Sequence, residues 1–115
     1  MKTLLVLLVA VLLLGNIAAD FPPELPSSFY GTVTNARVGQ TVNVYVNGVL
    51  TAWTQTLLYN GNVVYSADVV MNGVPAGTIA VFKIKNTVYG TAPLHSGTNV
   101  NLNLAPQTKR SLLRK

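Results

Sequence analysis

Beyond residue 28, apolar and polar residues alternate in short runs separated by Gly, Pro and Asn-Gly pairs. In residues 41–46, Val42, Val44 and Val46 alternate with Thr41, Asn43 and Tyr45. In 63–71, Val63, Tyr65, Ala67 and Val69 share one parity, while Val64, Ser66 and Asp68 take the other. Ala80, Phe82 and Ile84 oppose Lys83 and Lys85 in 78–85, and Val100, Leu102 and Leu104 oppose Asn99, Asn101 and Asn103 in 98–104. Successive side chains of a strand point to opposite faces, so each run predicts a strand with one buried face. Nowhere in this region do apolar residues recur at the i, i+3, i+4, i+7 spacing of a helix.

Three further runs, 29–34, 49–59 and 88–92, bring the predicted strands to seven. Asn47-Gly48 suits a type I′ turn, which needs positive φ at both central positions, and predicts a hairpin between 41–46 and the run that starts at Val49. Asn60-Gly61-Asn62 predicts a second hairpin. The run 49–59 is long for one strand. Leu50 and Ala52 compete there with Val49 and Trp53 for the inner face, which predicts a bulge or bend. Seven short strands with regular turn signals predict a sandwich of two antiparallel sheets. The expected inward set is Val33, Val42, Val44, Val46, Tyr65, Ala67, Val69, Ala80, Phe82, Ile84, Val100, Leu102 and Leu104.

The first residues follow another pattern. Met1, Lys2 and Thr3 precede an unbroken apolar run, 4–14, of eleven residues. That length and the small residues after it predict a secretory signal peptide over 1–19, cut before Asp20 with Ile17 and Ala19 at the −3 and −1 positions. The stretch is shorter than the ~20 residues of a membrane-spanning helix, and no other segment predicts a span. Residues 20–27 hold three prolines and predict a stiff, extended lead-in. The sandwich is then expected over 28–105 and a basic tail over 106–115. From Asp20 onward seven basic residues stand against three acidic ones, a net charge of +4. Lys109, Arg110, Arg114 and Lys115 in the tail equal that excess, leaving the body neutral. A neutral body lacks the basic face that tracks nucleic-acid phosphates, whereas the tail is a candidate contact for anionic lipid headgroups or acidic wall polymers.

Composition narrows the chemistry. The 115 residues include no Cys, one His and three Asp+Glu, with 50% hydrophobic and 10% charged residues. Thiolate sites and disulfides are excluded, and too few acids and bases remain for a metal centre, a cofactor site or general acid-base catalysis to be expected. His95 is expected in a solvated turn and Asp68 in a structural hydrogen bond. The aromatic residues offer more. Trp53, Tyr30, Tyr45, Tyr59 and Tyr89 are candidates for a platform presenting apolar ring faces to sugars, with Trp53, Tyr45, Tyr59 and Tyr89 as candidate ligand or interface residues. For Trp53 the competing place is the sandwich core. Tyr45, Ile79 and Val81 fall on outward parities and are candidates for a self-association patch.

Phe29-Tyr30-Gly31-Thr32-Val33, the stretch 38–48, Tyr65-Ser66-Ala67-Asp68-Val69, the stretch 77–84 and Asn101-Leu102-Asn103-Leu104 carry a family resemblance. They resemble the small immunoglobulin-like or transthyretin-like modules of prokaryotic secreted and cell-surface proteins, over about residues 28–105. The departures are a shorter first turn, Tyr45 where a small residue is common, Asn86 where Gly is common, and a single module. The resemblance implies a noncatalytic seven-stranded antiparallel β-sandwich, secreted or held at the cell surface. The expected role is structural interaction or adhesion with a protein or polysaccharide partner. The alternatives are a carbohydrate-binding accessory module and a self-assembling surface or filament subunit.

Overall fold

The computed structural model describes residues 24–107. The expected signal peptide and the basic residues Lys109, Arg110, Arg114 and Lys115 lie outside the described residues. Within them the chain is all-β, with eight strands and no helix: β1 (Ser27–Thr32), β2 (Thr41–Val46), β3 (Val49–Gln55), β4 (Leu57–Tyr59), β5 (Asn62–Val69), β6 (Ile79–Ile84), β7 (Thr87–Pro93) and β8 (Asn99–Asn101). They form two four-stranded sheets in the orders β4-β5-β1-β8 and β3-β2-β6-β7. All neighbours are antiparallel except β1 and β8, which run parallel.

Eight strands replace the expected seven because the run 49–59 breaks at Thr56. Its first part pairs with β2 in one sheet and its second with β5 in the other. The crossing is held by one fully buried hydroxyl. Thr56 Oγ1 donates to Arg37 O at 2.5 Å and accepts from Gln40 N at 2.9 Å. Its backbone bonds on both sides, Thr56 N to Gln40 O and Gly39 N to Thr56 O, each at 2.9 Å. Buried polar groups must be paired, and these four bonds let the chain change sheets in the interior.

The hairpin turns follow their residue chemistry. Asn47 and Gly48 take φ of 51° and 77°, and Asn60 and Gly61 take 51° and 79°. Both pairs have the positive angles of a type I′ connection, whose twist matches that of the strands it joins. Val46 therefore faces Val49, and Tyr59 faces Asn62.

Between the sheets lies one core. All the expected inward residues of β2, β5 and β6 are buried, as are Val33 and Leu104. Phe82 stands at its centre, with the Phe29 ring edge-on at 5.2 Å and the Tyr65 ring at 6.0 Å. Two expectations in the last run are corrected. Val100 is 39% exposed and Leu102 only partly buried, because β8 is a three-residue edge strand and its flank is not covered. The core also takes Phe29, Met71, Tyr89, Ala92 and Leu94.

The join between β1 and β8 is irregular in a way that requires Gly31. Pairing continues past Asn101 through Leu102 N to Tyr30 O and Leu104 N to Thr32 O, both at 2.8 Å. Between these bonds, the Asn103 side-chain oxygen accepts from Thr32 N at 3.0 Å. The Leu102 carbonyl accepts the Tyr65 hydroxyl at 2.6 Å. A Cβ on residue 31 would lie 2.6 Å from that carbonyl oxygen.

Burial pushes the Tyr65 hydroxyl well above the usual tyrosine range. The folded chain therefore keeps this proton more tightly than the unfolded chain does. The resulting stability is fully present below pH ~10, the unfolded tyrosine value, and is lost as pH rises above it. Tyr65→Phe is expected to cost about 1 kcal/mol at neutral pH through the lost hydrogen bond. Above pH ~10 the wild type should lose up to about 1.4 kcal/mol more per pH unit than the variant. Denaturant melts of both proteins at pH 8 to 12 check this; parallel slopes across that interval would exclude it.

Candidate functional site

The sandwich has two outer faces of opposite character. On the sheet β4-β5-β1-β8 the outward positions are set by the parity that buries Phe29, Tyr65 and Ala67. Ser28 stands between Asp68 and Asn99, Tyr30 between Ser66 and Asn101, and Thr32 beside Val64. Across the Asn60-Gly61 turn, Tyr59 pairs with Asn62 on the same side. The surface thus carries mainly Tyr, Ser, Thr and Asn, with Asp68 at one end and Val64 and Leu57 at the other. Tyr, Ser and Asn are the residues with which antibody paratopes combine rigid aromatic contact area and adaptable hydrogen bonding.

A groove of about 340 Å³ runs along this face, with Tyr30 and Tyr59 among its walls and Asn62, Asn101 and Asn103 supplying carboxamides. Both rings are open to solvent, Tyr30 at 42% and Tyr59 at 66%. The Asn103 oxygen is engaged by Thr32 N, which fixes the side chain and directs its NH₂ donors elsewhere. A second depression, of about 400 Å³, adjoins it around Ser28, Ser66, Asp68 and Asn99. There the Ser28 hydroxyl donates to Asp68 Oδ1 at 2.7 Å across the β1–β5 pair, the structural bond expected of Asp68. His95 does not line that depression. Its backbone N–H donates to the buried Ser27 hydroxyl at 3.1 Å, and the residue itself is exposed. Among the described residues no group of three or more His, Cys, Asp or Glu could hold a metal ion.

The outer face of β3-β2-β6-β7 is apolar by contrast. Trp53 pairs with Asn43, and Tyr45 lies between Leu50 and Val81. Lys83 extends its ammonium over the Tyr45 ring at 5.1 Å from the centroid, so the lysine marks the solvent side of a central strand. The expected patch of Tyr45, Ile79 and Val81 does share this face.

The five aromatic candidates are therefore divided. Tyr30 and Tyr59 meet on the polar face, while Tyr45 and Trp53 lie on the apolar one. Trp53 is 65% exposed, so of its two expected places it takes the surface and not the core. The register of β2 and β3 shifts between Val44 and Tyr45, so Ala52 faces Val44 and Leu50 faces Tyr45 with Thr51 in excess. That bulge puts Leu50 and Trp53 on the same outer side, and Phe29, Phe82 and Tyr65 fill the aromatic space inside. Tyr89 is likewise corrected, from a candidate contact to a core residue 9% exposed, with its hydroxyl donating to Asn35 O at 3.4 Å. A second bulge is the cause. Gly90 faces Phe82 and Val88 faces Lys83, leaving Tyr89 as the extra residue, turned inward.

Asn62 was not singled out by sequence reasoning, although the two-residue Asn60-Gly61 loop already implies that Tyr59 and Asn62 share a face. Compared with models of protein families, with curated proteins and with solved structures, the chain matches none.

Proposed function

We propose that the chain is a noncatalytic adhesion module of an exported protein and that it binds surface polysaccharide through the outer face of β4-β5-β1-β8. The observation that carries this reading is the groove in which Tyr30 and Tyr59 stand around Asn62, Asn101 and Asn103. Sugars present apolar C–H faces and a rim of hydroxyls. Tyrosine rings suit the first, and carboxamides, which donate and accept, suit the second. The apolar run 4–14 supports export.

Strand order supports the transthyretin-like type over the immunoglobulin-like one. In an immunoglobulin sandwich the first, second, fourth and fifth strands share a sheet. Here β1 pairs with β5 and β8, while β2 sits in the other sheet between β3 and β6.

Retention of the purified chain on insoluble cellulose, chitin and peptidoglycan tests the function. At least one polymer is expected to retain it, and Tyr30→Ala and Tyr59→Ala are each expected to weaken retention about tenfold or more, as truncation of an aromatic anchor does. Both side chains are exposed, so melting temperatures should change little. Failure of every polymer to retain the wild type, or undiminished retention of both variants, would overturn the reading.

A further inference from the structure

One flank of the sandwich is bordered in both sheets by the segment 49–59, β3 on one sheet and β4 on the other. Five of its large apolar side chains are more than half exposed: Val49 64%, Leu50 51%, Trp53 65%, Leu57 61% and Leu58 65%. The surrounding sequence is uncharged over an unusual length, since no Asp, Glu, Lys or Arg occurs between Arg37 and Asp68.

Edge strands carry unpaired N–H and C=O groups that template pairing with another chain, and proteins protect them with charges, proline, bulges, short strands or a covering segment. The opposite flank shows such protection. β7 ends in Pro93 and is covered at its start by bonds from Ala105 N to Tyr89 O and from Gln107 N to Val88 O, at 3.0 and 2.8 Å. β8, the other edge there, has only three residues. β3 has seven residues with neither charge nor proline, and the bulge at Thr51 is its one irregularity. Among the described residues its backbone bonds to no strand but β2.

We propose that β3 pairs antiparallel with β3 of a second copy of this chain, joining two four-stranded sheets into one of eight strands. A second copy is the occupant because such a two-fold contact asks only that one edge be compatible with itself. An uncharged edge meets that condition, because with no Asp, Glu, Lys or Arg between Arg37 and Asp68 no charge sets two copies of it against each other. The two-fold axis stands normal to the sheet, so the outward faces of both copies lie on one side. Leu50 and Trp53 of each copy then close over the join as a single apolar strip, and Leu57 and Leu58 of β4 approach on the other sheet. This surface meets the Tyr30 groove only at β4, whose Tyr59 is one of the groove's walls, and it goes beyond the binding reading above.

Trp53 is the single tryptophan, so it reports the contact directly. Sedimentation velocity and tryptophan emission of the purified chain are measured over a concentration series. A dimer is expected to form together with a blue shift of emission, as Trp53 leaves water. Leu50→Lys keeps the reporter and places a charge at the join. It is expected to weaken dimerisation about 100-fold or more, because an unpaired charge would be buried, and to leave the melting temperature of the monomer unchanged. Lys83→Ala, on the same sheet but two strands from the edge, is expected to dimerise like the wild type. A wild type that stays monomeric at every concentration overturns the proposal, whether or not it captures some other partner. So does a dimer that forms without an emission shift, or one that Leu50→Lys leaves intact.

Discussion

Replacing Phe82 by alanine is expected to lower the unfolding free energy by about 3 to 5 kcal/mol, the cost of a large aromatic truncation in a packed core. Phe82 is fully buried on the central strand β6, and the rings of Phe29 and Tyr65 meet it edge-on from the facing sheet. Its removal opens a cavity between the two layers. Backbone ladders bound the cavity on both sides, and they cannot close over it without breaking bonds. Small domains have a total stability of about 5 to 15 kcal/mol, so the variant should melt far below the wild type and fall near the limit of folding. Lys83→Ala, one residue along and on the opposite face, removes only a cation contact over Tyr45 and is expected to cost about 1 kcal/mol or less. Thermal melts of the pair decide the matter; equal losses would mean that β6 presents its other face to the core.

The second large effect is expected at Gly31. A methyl group there would sit 2.6 Å from the Leu102 carbonyl oxygen and 2.7 Å from the Asn103 side-chain oxygen. The first of these is backbone and cannot rotate away. Gly31→Ala must therefore push residues 102–103 off β1, which also removes the acceptor of the buried Tyr65 hydroxyl. Overpacking and a lost buried hydrogen bond together are expected to cost roughly 3 kcal/mol. Hydrogen exchange separates this from simple unfolding, since the amides of Leu102 and Leu104 should lose protection before those of β2 and β6. Unchanged exchange at Leu102 and Leu104 would show that the site accepts a side chain.

The fold was legible where alternation ran unbroken along strands flanked on both sides, and less so at the edge strand β8, where Val100 and Leu102 keep their parity but lack cover. Val42, Val44 and Val46, Tyr65, Ala67 and Val69, and Ala80, Phe82 and Ile84 all face inward as their parity implies, because their strands pair on both sides or carry a full row of core contacts. Legibility failed where one extra residue reset the parity. Thr51 and Tyr89 each stand opposite no partner; the first decides the open placement of Trp53, and the second reverses the reading of Tyr89 itself. The competing parities of Leu50, Ala52, Val49 and Trp53 announced a bulge or bend in 49–59 but not the residue that carries it, and nothing in 87–93 announced the second. The position of the extra residue depends on which strand lies across, and that is a property of the assembled sheet. Thr56 illustrates the same limit, since a threonine between Gln55 and Leu57 looks like any strand residue until its neighbours Arg37 and Gln40 are in place. Of the candidate site, the outward Asn99, Asn101 and Asn103 row could be read locally. Its meeting with Tyr59 and Asn62 depends on β1 lying between β5 and β8, a pairing of strands distant in sequence.

The parallel alignment of β1 and β8 has a mechanical consequence. The chain enters β1 at one end of the sandwich and leaves β8 toward the other, so a pull applied through Ser27 and Leu104 draws the two strands lengthwise past each other. The bonds Ser28 N to Thr98 O, Leu102 N to Tyr30 O, Leu104 N to Thr32 O and Thr34 N to Leu104 O then bear the load at once, in shear. They cannot open singly like the teeth of a zipper. Rupture requires these bonds and the β1–β8 ladder they extend to fail together, and the domain would hold under lengthwise tension for as long as this row survives.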